Sequence, residues 1–192
     1  MEILLMKKYI NKYLKKSILL TNLACFTACD SSQEKTNEHL NSYSLEQFSK
    51  AALPLGIMVE DIPSTSISVL EARKQNNIGK KLIVTGFIGG RKDPFSANRA
   101  SFILGDNKIK TCDKILDDNC PTPWDACCED RKKILDGTMN IQIVDDNNSL
   151  IQGNLNGVGT LKPGLQVKVL GIVDVKSLPE AMVLNAKQIQ VL

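Results

Sequence analysis

The residues best suited to chemistry are crowded into one stretch, CDKILDDNCPTPWDACCED at positions 112–130. It holds Cys112, Cys120, Cys127 and Cys128, four of the six cysteines, together with Trp124, the only tryptophan. Thiolates are soft donors suited to zinc, monovalent copper or iron–sulfur clusters, so the four could surround one ion. The spacing lacks the paired C-x2-C knuckles of structural zinc sites, and adjacent cysteines are awkward ligands for a single ion. In an oxidising compartment the same residues would instead form two disulfides. Three pairings are open. Joining Cys112 to Cys120 forces Cys127 and Cys128 into a vicinal ring, whereas the other two pairings use them separately. Each closed loop is short, so an unstrained bridge would contribute roughly 2–3 kcal/mol. A redox-active thiol pair is the third reading, disfavoured because no C-x-x-C opens a helix.

The same stretch is acidic, through Asp113, Asp117, Asp118, Asp125, Glu129 and Asp130. Carboxylates are hard ligands that suit calcium, but the spaced pattern of an EF-hand loop is missing. A solvated face is the simpler expectation. Trp124, fixed between Pro123 and Asp125, is expected to pack beneath the loop as a local core. Trp124 and Asp125 are also the candidate ligand contacts.

Catalytic constellations are absent from the sequence. The one histidine, His39, lies in a polar stretch, which excludes a histidine-dependent triad from the rest of the chain. No G-x-S-x-G, phosphate-binding loop or H-E-x-x-H is present. The acidic pairs have no spacing that implies general acid–base work. The expectation is a binding protein without a catalytic cofactor, not an enzyme.

The amino-terminal residues supply a compartment. Lys7, Lys8, Lys12, Lys15 and Lys16 form a basic region ahead of an apolar run over 18–28, too short to span a bilayer. This is the pattern of a secretory signal. Phe26-Thr27-Ala28-Cys29 resembles a bacterial lipobox, which implies cleavage before Cys29, lipidation of its thiol and anchoring in the cell envelope. Phe26 replaces the usual leucine. Without residues 1–28, Lys plus Arg falls from 24 to 19 and Asp plus Glu from 21 to 20, so the net charge goes from +3 to −1. A nucleic-acid partner then lacks its electrostatic attraction. An envelope saccharide, peptide or protein fits better as a partner.

Four segments must position these residues: a signal over 1–28, a tether over 29–50, a lead-in over 51–77 and a β-domain over 78–192. The tether is polar, with no hydrophobic period. Ser68-Val69-Leu70-Glu71 fits a capping box that opens a short helix to about Gln75. Strands are expected over 81–88, 100–104, 139–144, 166–175 and 182–192, with 149–155 able to pair back across an Asp-Asp-Asn-Asn turn. Gly86 and Gly171 fall inside two of these strands and suit bulges or barrel corners. Five strands with intervening turns point to a small antiparallel barrel, with a β-sandwich as the competitor.

LKPGLQVKVLGIVDV resembles the fourth strand of oligonucleotide/oligosaccharide-binding (OB) folds, and GKKLIVTGFI the first. CPTPWDACC resembles a signature of secreted or lipid-anchored bacterial proteins of OB type, as does GRKDPFSANRASFIL before it. Ala126 stands where those proteins carry an aromatic. The resemblance implies a five-stranded OB-like barrel with the cysteine-rich segment inserted between its second and third strands. It implies a fold and a compartment, not a reaction. The resulting expectation is a lipid-anchored envelope binding module whose loop is stapled by disulfides; the alternative is a zinc- or copper-binding thiolate protein.

Overall fold

A computed structural model describes residues 49–192 apart from Ser64, Asn76 and Asp118. The signal, Cys29 and nearly all of the tether, His39 included, lie outside the described residues. In chain order the elements are β1 (Ile67–Ser68), α1 (Val69–Lys74), β2 (Lys81–Ile88), β3 (Ser101–Gly105), α2 (Arg131–Asp136), β4 (Thr138–Gln142), β5 (Gln166–Val173) and β6 (Val183–Val191).

The five longer strands close on themselves. Hydrogen bonding runs β2-β3-β4-β6-β5, and β5 pairs back onto β2 from Lys81↔Ile172 to Phe87↔Gln166. This is the expected OB-like barrel, but a mixed one. β4 and β6 run parallel, with Asn140 opposite Val183 and Gln142 opposite Asn185, so the expectation of an all-antiparallel barrel is corrected. The cause is topological: β5 pairs antiparallel with both β2 and β6, so β6 runs in the direction of β2 and must meet β4 in parallel.

Alternation along the strands fills the interior, as the two-residue period of a strand requires. Val84 and Ile88, Phe102 and Leu104, Met139 and Ile141, Val167 and Val169, and Leu184 and Ile189 are all buried in one apolar cluster. Fully burying each large aliphatic side chain contributes about 1.5–3 kcal/mol. Two glycines allow the strands to bend tightly. A Cβ on Gly86 would press into the Gly105 carbonyl oxygen, and one on Gly171 would lie 2.6 Å from Asn185 O, at the bulge between Leu170 and Gly171. Gly171 lies at the expected bulge, and at Gly86 the neighbouring strand approaches closely.

The capping box is present. Ser68 Oγ accepts from Glu71 N at 3.2 Å and Glu71 Oε2 accepts from Ser68 N at 2.9 Å. The buried Val69 and Ala72 fix α1 on the barrel, and Asp106 Oδ2 accepts from Leu70 N at 2.8 Å. Before it, the lead-in runs beside β6, with Val59 N donating to Ile189 O and Ile189 N to Ile57 O. The segment after β4 turns at Asp145, whose Oδ1 accepts from Asn147 N and Ser149 N at 2.8 Å. It returns as isolated bridges, Val144↔Leu150 and Arg99↔Gln152, not as a strand. Among the described residues no helix is long and apolar enough to cross a membrane.

Candidate metal centre

The insertion leaves the barrel after β3 and rejoins it before β4, and its ends meet: Asp106 N donates to Gly137 O at 2.8 Å. Its two arms are held together by the backbone. Cys112 N donates to Asp125 O at 2.8 Å and Asp113 N to Pro123 O at 3.2 Å. Cys112 opens a single 3-10 turn over Cys112–Lys114. On the facing arm, Glu129 N donates to Ala126 O at 2.9 Å, closing a turn with Cys127 and Cys128 at its corner. Glu129 ties the arms again, because its Oε2 accepts from Lys110 N at 3.3 Å. Asp130 then caps α2, its Oδ1 accepting from Lys132 N and Lys133 N.

This scaffold brings three thiols to one point. The Sγ atoms of Cys112, Cys120 and Cys127 all lie within 4.8 Å of one another. Cys112 Sγ and Cys127 Sγ are 3.4 Å apart, and Cys127 Sγ is 3.7 Å from Cys128 Sγ. Sulfurs sharing an ion at about 2.3 Å sit roughly 3.8–4.0 Å from each other, so small rotamer adjustments would complete a shell. Cys112 is buried, Cys120 half-buried and Cys127 exposed, which gives the cluster one closed and one open side. Burial pushes the Cys112 thiol well above its ordinary range, and the neighbouring Cys127 and Cys120 thiols push the same way. A cation at this point would reverse that balance by stabilising the thiolates.

No disulfide joins the four described cysteines. A disulfide needs about 2.05 Å between sulfurs, whereas Cys112 Sγ and Cys127 Sγ are 3.4 Å apart. No disulfide is seen among the described cysteines, and other contacts order the loop. Backbone bonds between the arms, side-chain acceptors and the buried Ile109, Cys112 and Ala126 hold it.

Trp124 departs from its expected place. It is half-buried, and the buried centre of the loop is Ala126 with Cys112. Instead Trp124 fastens the insertion to the segment after β2: Gly90 N donates to Trp124 O and Trp124 Nε1 to Lys92 O, both at 2.9 Å. Its ring lines a cavity of about 430 Å³ with Phe87, Asn107, Asp113, Lys114 and Gln166. Lys114 Nζ lies 5.8 Å from the Phe87 ring centroid and donates to Asn107 O and Ile109 O at 2.8 Å. Asp125 does not line this cavity. Its carboxylate accepts from Ala126 N at 2.8 Å, which makes it a turn residue.

The acids do not gather. Asp113 accepts from Thr111 Oγ1, Asp125 and Asp130 accept from backbone amides, and Asp118 lies outside the described residues. The Cys112–Cys120–Cys127 group is the sole cluster of possible metal ligands among the described residues. Sequence reasoning named all four cysteines but not their division into three and one, which depends on how the arms pair. It also missed α2, although Asp130 before an Arg-Lys-Lys-Ile-Leu run and Gly137 after it are legible cap signals. Compared with known proteins, the chain matches no family model, no curated protein and no solved structure.

Proposed function

We propose that this protein binds a soft metal ion through the thiolates of its insertion, in the bacterial cell envelope. The convergence of three sulfurs within 4.8 Å carries the reading. Zinc and monovalent copper are the ions that such a donor set favours. The barrel supplies the rigid base, and the pairing of the two arms gives the ion a preformed site. The compartment rests on the basic and apolar residues 7–28 and on the lipobox-like sequence ending at Cys29. Metal titration of the reduced protein under anaerobic conditions tests the function. One equivalent of zinc or copper bound, with the cluster thiols protected from alkylation, is the expected result. Absence of binding by either ion overturns it. Metabolic labelling with an alkyne fatty acid tests the anchor: label should be lost in Cys29→Ser.

A second reading is favoured by the cavity beside Trp124. An aromatic ring with amide, hydroxyl and charged neighbours suits a small polar envelope ligand such as a saccharide or short peptide. Ligand-induced change in tryptophan fluorescence, lost in Gln166→Leu, would support it; no change across saccharide and peptide panels would rule it out.

A further inference from the structure

We infer that the Cys112–Cys120–Cys127 cluster is a three-coordinate site for a monovalent soft cation of the copper(I) class, with Cys128 outside the shell. This deepens the metal-binding reading and depends on it. Three observations carry it. The donors are all sulfur: no carboxylate of a described residue joins the group. The only histidine of the chain is His39, remote in sequence from the insertion. The donors are three, because Cys128 approaches Cys127 at 3.7 Å but does not belong to the cluster.

The turn explains the exclusion. Cys127 and Cys128 occupy the corner closed by Glu129 N to Ala126 O, where successive side chains diverge. Cys127 is directed at Cys112, and both corner residues are exposed. Zinc takes four ligands in nearly all protein sites, with sulfur, nitrogen or oxygen completing a tetrahedron. Copper(I) has a filled shell and a low charge, and three thiolates satisfy it in a plane. An all-sulfur triad therefore favours copper(I) by softness, and it completes the copper(I) shell without a further ligand, whereas zinc would need a fourth. Loading breaks three S–H bonds and makes three Cu–S bonds. The protons go to solvent, and the copper enters and stays in the monovalent state.

The test uses the full chain, reduced and kept anaerobic. Copper(I) is delivered as a complex with a competing chromophoric chelator, and zinc is titrated in parallel. X-ray absorption then reads the coordination shell. We expect one copper per chain with three sulfurs, displacement of zinc by copper, and an unchanged copper shell in Cys128→Ser. Cys120→Ser and Cys127→Ser, which alter residues that are not buried, should each weaken copper binding at least tenfold. Circular dichroism of both variants distinguishes lost ligation from lost fold. A four-sulfur zinc site that includes Cys128, or copper binding insensitive to Cys120→Ser and Cys127→Ser, overturns the three-coordinate assignment while leaving metal binding intact. Failure to bind either ion overturns both.

Discussion

Gly86 and Trp124 show how single residues set what the molecule tolerates. The space beside Gly86 is filled by backbone, so Gly86→Ala must displace the β2–β3 pairing. A destabilisation of about 1–3 kcal/mol is expected for overpacking of this kind, measurable by urea unfolding. Trp124→Phe keeps an aromatic ring in the cavity and removes the Nε1 bond to Lys92 O. Loss of one such bond costs about 0.5–1.5 kcal/mol. Asp174 sets an acid limit. Its carboxyl is held below the ordinary range by Lys176 N and by the Asn185 amide, which donates at 2.9 Å. A depressed folded pKa stabilises above the unfolded value and loses that contribution as pH falls through the folded one. The stability gap between wild type and Asp174→Asn should therefore be full at neutral pH and shrink below about pH 4.

The short elements depend on caps. α2 buries no residue, so its order comes from Asp130 at one end and the Gly137 N to Lys133 O bond at the other. Replacing a cap aspartate typically costs about 1 kcal/mol. Asp130→Ala should show that loss and faster amide exchange over α2, read by hydrogen–deuterium exchange. The Ser68–Glu71 box was legible because reciprocal caps need only two residue types three positions apart. β1 was not legible: two residues carry no period, and Ile67↔Val84 pairing depends on β2 being already in place. The parallel β4–β6 pairing was hidden for a related reason. A strand's sequence records which residues face the core, not which neighbour it meets.

At the scale of the molecule, the barrel and the insertion follow different rules. Val84, Val169 and Leu184 announce their strands by alternation, and the barrel follows from them. The convergence of the cysteines does not follow from spacing. It goes with pairing of the arms, such as Cys112 N to Asp125 O and Asp113 N to Pro123 O, that no pattern of residue types announces. Binding to the native state alone raises stability by about 2.7 kcal/mol when free ligand is a hundredfold above its dissociation constant. Thermal scans with and without copper(I) should show that rise, and Cys127→Ser should cut it by about half or more.

The bond between Asp106 N and Gly137 O has a modular consequence. A detour whose entrance and exit coincide can be cut out with β3 and β4 left in register, at the loss of the Trp124 bonds to Gly90 and Lys92. Replacing residues 107–136 with a two-residue Asn-Gly turn would make β3 and β4 an ordinary hairpin, since Gly105 and Thr138 are already partners. The excised chain should still melt cooperatively as a barrel while losing copper. The insertion is in that sense a cassette, able to be transplanted onto another hairpin of the same gauge.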